Sequence, residues 1–330
     1  YSARIGANSS VVPLMNEGLI RPMDDLVAKY GKDLQKSQLI TIDGKVMAVA
    51  FMANTQHLYY REDILNELGI PVPKTYEEVL AAAGKMRSSG KLLNPYAAAY
   101  KAGWNLAEEF VNMYLGYGGE FFKSGSAEPN INNRKGVKTL RMLKKLAGYS
   151  NPDFLTHDSE AIKVEWEAGK VGIMTLWASR SGTLLDDEGD PAITAATKLA
   201  APATVGGGSI PAATLWWDGF MLAKNRSDKD AKASFQALVH AATSKTMAND
   251  ASDQAVWLVE GFKPGPKSLG VLAAAKMGAN PYPMLPHMSL MHGALGSEIV
   301  DFLKGKESAQ QALADTEAAY RGKAKEKGFL

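Results

Sequence analysis

Short apolar runs of strand length alternate with amphipathic helical stretches along the chain, and this alternation constrains the fold more than any other feature. Val46-Met47-Ala48-Val49-Ala50-Phe51 follows the turn-forming pair Asp43-Gly44 and reads as a buried strand. Thr75-Tyr76-Glu77-Glu78, just after Pro71 and Pro73, has capping-box spacing and predicts a helix to about Ser89. Tyr96 to Tyr100 reads as a strand, and Asn105 to Tyr117 as a helix closed by Gly118-Gly119. Val137 to Tyr149 has apolar residues at helical spacing with Lys and Arg on the other face. Val171 to Leu176 and Leu215 to Ala223 are further strand-like runs, separated by a Gly206-Gly207-Gly208 loop. Ser227 caps a helix to about His240, and alanine-rich helices follow at 269–277 and 308–320. Strands alternating with helices of this length build βαβ units, so the expected class is α/β with largely parallel sheets. At 330 residues there is room for two such bodies.

Charge and composition remove several function classes. The 37 basic side chains nearly balance 35 acidic ones, which argues against nucleic-acid binding. No apolar run approaches the roughly 18 residues that would suggest a membrane span. The chain has no cysteine, so disulfides, thiolate metal sites and cysteine nucleophiles are out. Dinucleotide, P-loop, zinc-protease and serine-hydrolase motifs are missing. The five histidines are scattered, and the i,i+5 spacing of His287 and His292 does not suit one helical face for a metal. Neither a metal nor a cofactor is expected. The acidic pairs Glu108-Glu109 and Asp186-Asp187 read as solvated faces, since adjacent residues on a helix diverge.

Six tryptophans are more informative: Trp104, Trp166, Trp177, Trp216, Trp217 and Trp257. Sugars present flat C–H faces to aromatic rings, while their hydroxyls need polar partners. Trp216-Trp217-Asp218 falls where a loop enters a strand, and strand alternation sends the two rings to opposite sides. One of them is then expected at a cleft and the other in the core.

In order along the chain, Asp43-Gly44-Lys45 with the strand to Phe51, then Leu58-Tyr59-Tyr60-Arg61-Glu62-Asp63-Ile64-Leu65, then Gly69 to Glu78, resemble three consecutive signatures of extracellular solute-binding proteins of the maltose-binding type. Ala168 to Met174, Asp218 to Lys224, Ser227 to Ser244 and Pro283 to Val300 are similar to later segments of that family. Ala50, Arg61 and Tyr76 depart from its usual proline, asparagine and tryptophan. Tyr1 to Ile5 resembles its second strand, which implies that its opening strand–helix–strand, roughly 30–60 residues, has no counterpart here.

The resemblance implies a two-lobed periplasmic-binding-protein clamp of type II, each lobe a mostly parallel sheet flanked by helices. Residues 1–53 and 218–262 would form one lobe, and 54–217 and 263–330 the other. It also implies a monomeric protein, periplasmic or lipid-anchored outside the cell, that captures a carbohydrate without catalysis. The membrane subunits of an ABC importer would then be its partners. Carried over position by position, Asn8 and Ser9 would meet a sugar hydroxyl, and Asn54, with Gln56 beyond it, would stand at a cleft carboxylate position. Trp177, Ser179 and Arg180 would occupy the turn of a stacking aromatic, and Trp216, Trp217 and Asp218 the second crossover. His292 would replace a late aromatic and leave a more polar wall, and Trp104 is a further candidate. Two other readings share this build: a carbohydrate-active enzyme, and a ligand-presenting partner of a chemoreceptor. Arg180 would suit an acidic sugar, unless it pairs with Asp186, Asp187 or Glu188; the tryptophans suit a neutral one.

Overall fold

Asp43 and Gly44 both have positive φ, 49° and 75°, and make the two-residue turn that joins strands Leu39–Ile42 and Lys45–Asn54. This hairpin starts the first of two sheets in the computed structural model, which describes residues 2–186, 189–249 and 251–330. Lys45–Asn54 pairs along its other edge with Trp216–Ala223, from Val49 opposite Phe220 to Asn54 opposite Trp216. Ala3–Ala7 lies outside Trp216–Ala223, and Val256–Trp257 outside Lys45–Asn54. Both central strands are apolar on each face because each face is covered. Phe220 and Leu222 pack with Phe235 and Val239 of helix Asp228–Ala242. Met221, pointing the other way, packs with Val11 and Val12 of helix Asn8–Asn16. Gly219 is required where the central strands meet, since a Cβ there would lie 2.6 Å from the Val49 carbonyl oxygen.

The second sheet runs Tyr96–Ala97, Ile173–Trp177, Gln56–Arg61, Thr197–Ala200. Helix Trp104–Gly116 is buried on nearly all sides between helices Arg134–Ala147 and Met288–Glu298. The expected caps are present: Thr75 Oγ1 accepts from Glu78 N at 3.1 Å, and Ser227 Oγ from Asp230 N at 3.1 Å.

The two-sheet α/β architecture agrees with the sequence reading, but the strand direction does not. Among the described residues every strand-to-strand pairing within the two sheets is antiparallel except Tyr96–Ala97 with Ile173–Trp177, so the mostly parallel sheets are corrected. The reason lies in the crossovers. Lys45–Asn54 leaves the first sheet and runs straight into Gln56–Arg61 of the second without a helix between them. Trp216–Ala223 comes back beside it, and neighbours crossing the same boundary in opposite senses must be antiparallel. The strand foreseen over 96–100 is also shorter, covering Tyr96 and Ala97 alone.

Candidate ligand-binding site

The two crossovers are fastened to each other. Thr55 Oγ1 donates to the Thr214 carbonyl at 2.8 Å. Asn8, at the start of its helix, accepts from Trp217 N at 2.9 Å and donates to the Leu215 carbonyl at 3.4 Å. Asn54 Oδ1 accepts from Thr55 N and Ser179 N, at 3.0 and 3.2 Å, while its Nδ2 donates to Ser179 Oγ at 3.1 Å. Asn54 thus spends most of its hydrogen-bonding capacity on the joint itself, and Asn8 half. Ser9, one residue on, is half-buried, and its hydroxyl has no partner among the described residues.

Beside the joint stands an aromatic wall. Trp104, Trp177 and Trp216 enclose one another, with ring centroids 5.7 Å apart for Trp104–Trp216 and for Trp177–Trp216, both edge-to-face. Trp104 remains 45% exposed, against 6% for Trp216, so Trp104 presents the accessible face. A close backbone approach sets it there: a Cβ on Gly296 would lie 2.3 Å from the Gly103 carbonyl oxygen, and Gly103 itself has φ 98°. His292 stands behind Trp104, its ring 5.0 Å away. Its Nε2–H donates to the Trp104 carbonyl at 2.9 Å, so Nδ1 accepts from the Tyr282 hydroxyl at 2.9 Å. Burial pulls the imidazole down to about 4, leaving a neutral support with both nitrogens occupied.

Under the wall lies a buried polar network. Trp216 Nε1–H reaches Glu108 Oε1 at 3.1 Å and Thr214 Oγ1 at 2.8 Å. The Thr214 hydroxyl lies 2.8 Å from Glu108 Oε1 and 2.7 Å from Asn112 Oδ1, and its single hydrogen can serve one of them at a time. Asn112 Nδ2 donates to Gln56 Oε1 at 3.1 Å, so Gln56 belongs to this layer. Desolvation raises both Glu108 and Glu109 to about 8, offset in part for Glu108 by Thr214 and for Glu109 by Gln56.

Glu108 and Glu109 are therefore not the solvated face expected; both are buried. The signal was available, because polar residues in Trp104–Gly116 sit among apolar ones on every side of the helix. Asp187, half of the other acidic pair, lies outside the described residues. Thr214 and Tyr282 also belong to the site and carried no motif.

The remaining candidates divide. Trp217 turns into the first sheet's core beside Val11, Met47 and Met221. Asp218 is half-buried with no hydrogen-bond partner among the described residues, and burial lifts its carboxyl to about 6. Arg180 makes an ion pair with Glu160, 2.9 Å away, a partner the sequence reading did not consider. Of its three foreseen partners, Asp187 and Glu188 lie outside the described residues. The structure thus brings together Asn8, Asn54, Ser179, Trp104, Trp177, Trp216 and Asp218 at or beside the crossovers. Surface cavities of about 500 Å³ beside Ala3, Ile5 and Leu19, and about 680 Å³ beside Phe121 and His287, include no residue of the wall. The first has no aromatic ring, and the second, though it sets Phe121, Phe122 and His287 beside Glu120 and Lys123, includes no residue of the crossovers, so the wall is the stronger candidate.

Two α/β bodies joined by paired crossovers, with aromatic and polar groups converging there, define a two-lobed binding protein. The chain belongs to the bacterial extracellular solute-binding proteins, whose family model matches residues 4–249. A probable ABC transporter-binding protein of Deinococcus radiodurans is 29% identical over 254 residues, 70% of this chain and 58% of that protein. The chain thus spans less than two thirds of that relative's length. Among solved structures, the ABC transporter solute-binding protein of Agrobacterium radiobacter K84 in complex with ribitol superposes with a TM-score of 0.84 at 19% identity, over 98% of this chain and 84% of that one. Maltose-bound MalE3 of T. maritima gives 0.82 at 16% identity, over 97% and 84%. At such identities the likeness is one of fold.

Proposed function

We propose that the chain captures a neutral sugar or polyol between two lobes, as a monomer outside the cytoplasmic membrane, periplasmic or lipid-anchored. It hands that ligand unchanged to the membrane subunits of an ABC importer. The lobes in this reading are 1–53 with 218–262, and 54–217 with 263–330, which is the partition the two sheets support. The observation that carries the proposal is the exposed face of Trp104, held by Trp177, Trp216 and His292 beside the crossovers. A tryptophan face suits sugar C–H groups, and the half-buried Asp218 carboxyl and Ser9 hydroxyl, with no partners among the described residues, suit its hydroxyls. The Arg180–Glu160 pair supports a neutral ligand over an acidic one, because its guanidinium is already engaged. Ribitol and maltose, the ligands of the two structural neighbours, are the first probes.

Binding stabilises the native state, so a thermal-shift panel of ribitol, maltose, other polyols and sugar acids tests the reading. At least one neutral member should raise the melting temperature, and Trp104→Ala should weaken its binding by about 2 kcal/mol with little loss of stability. A panel with no shift, or steady product release from any member, would overturn it.

A further inference from the structure

Glu108 serves no purpose so far assigned. It is fully buried at the centre of helix Trp104–Gly116, next to a second buried carboxyl, Glu109. One of its oxygens, Oε1, accepts from the Trp216 indole N–H and lies within hydrogen-bond reach of the Thr214 hydroxyl; the other, Oε2, has no partner among the described residues. Through Thr214 it is one residue's backbone away from the bond between the crossovers, and through Trp216 it touches the wall. No lysine or arginine pairs with either carboxyl among the described residues.

We propose that Glu108 is a positioning residue that works only while protonated, holding Trp216 in the wall and tying the wall to the crossovers, so that ligand affinity depends on one buried proton. The argument rests on the ligand reading above. A neutral carboxyl can accept from Trp216 through Oε1 and keep its proton on the partnerless Oε2. An ionised one keeps its donors at Oε1, but its Oε2, buried beside Glu109 with no donor and no cation, must draw in water or shift its neighbours. The nearest movable neighbour is the indole it holds. The titratable groups that face it agree in sign, and they oppose the hydrogen bonds from Thr214, Trp216 and Asn112, which favour the ionised form. Glu109 is on its own helix, and the Tyr282 hydroxyl lies on the segment before helix Met288–Glu298. Neutral His292 stands behind Tyr282. Tyr76, Tyr96 and Tyr100 face Glu109. Each is neutral or negative at neutral pH, and none would welcome a second negative charge.

The test needs no identified ligand. Tryptophan emission of the full chain is followed from pH 6 to 9.5, with circular dichroism confirming that it stays folded. The wild type should show one transition with a midpoint near 8, the value to which burial brings this carboxyl. Trp216→Phe should remove that transition. Glu108→Gln keeps the acceptor oxygen and the neutral state, and should give a flat profile; Glu109→Gln should keep the transition. In parallel, ribitol affinity of the wild type should fall about tenfold per pH unit above the midpoint, with a single-proton slope, and stay constant in Glu108→Gln. A flat wild-type emission profile, a transition that survives in Glu108→Gln, or one that vanishes in Glu109→Gln overturns the proposal. Should ribitol not bind at any pH, the ligand choice fails, and the optical titration still decides the role of Glu108.

Discussion

The interiors on the two sides of the crossovers are built differently. Around the first sheet the buried residues are almost wholly apolar, and a buried polar side chain such as Gln38 is satisfied, donating to the Ala50 and Ala242 carbonyls at 3.1 Å each. Around the second sheet the core hides Gln56, His57, Glu108, Glu109, Asn112, Thr175 and Thr214 among its tyrosines and phenylalanines. Of the seven buried side-chain polar atoms without a partner among the described residues, six lie on this side and one, Trp217 Nε1, on the other. Apolar burial alone is enough to hold a sheet, so a polar interior at this cost calls for another purpose. Four of these side chains, Gln56, Glu108, Asn112 and Thr214, form one network directly beneath the aromatic wall, where side chains must be fixed in orientation and not merely buried.

Trp216 and Trp217 test this contrast most severely, since one enters each interior. Trp216→Ala should lose roughly 3–5 kcal/mol of stability and all response to a bound polyol, because it removes both wall and donor. Trp217→Ala should cost a comparable amount in denaturant melts yet keep the response. Equal binding by both variants would erase the distinction between the two sides.

The pH dependence of stability comes next. Glu108 and Glu109 lie above the ordinary Glu value of 4.5, at about 8, so the folded chain holds protons that the unfolded chain has released. Stability therefore falls as pH rises between these values. His57 and His292, lowered to about 4, act oppositely but only below 6.5, and Asp218, raised to about 6, is largely ionised above that. Between pH 6.5 and 8 the melting temperature should decline, and the double variant Glu108→Gln, Glu109→Gln should flatten the curve. An unchanged slope in the double variant would place the liability elsewhere.

A cap far from the wall sharpens the contrast by doing nothing to it. Thr75→Ala should cost about 1 kcal/mol and leave ligand affinity intact, measured by chemical denaturation and titration. The smallest effect belongs to Arg180→Met. Its pair with Glu160 is partly exposed, so the change should cost less than about 1 kcal/mol and spare a neutral ligand. A selective loss for an acidic ligand would instead make the arginine a recognition group.

What could be read from the sequence followed local rules. The Asp43-Gly44 turn, the Thr75 and Ser227 caps and the helix beginning at Trp104 are each written in a few adjacent residues. Strand direction was not, because it depends on two chain segments more than 150 positions apart crossing one boundary, which no local pattern records. The tryptophans stood out as candidates, but which ring faces outward depends on the Gly103–Gly296 approach. Glu108 and Glu109 were misread because charge was taken as exposure. His292 was read as a substitute for a late aromatic, while its place behind Trp104 depends on two hydrogen bonds visible only in three dimensions.

The bond between Thr55 and the Thr214 carbonyl fastens two of the three chain crossings that the proposed lobes require, which makes the joint a braced ribbon instead of a tether. A tether would let one half of the molecule wander over a wide solid angle relative to the other. A ribbon keeps a narrow arc of bending, so most of that orientational freedom is surrendered when the chain folds. A ligand arriving later does not have to supply it. On the proposed reading a small ligand, with few atoms to contribute, gains most from this, and stiffening or loosening this one joint resets affinity for every ligand at once.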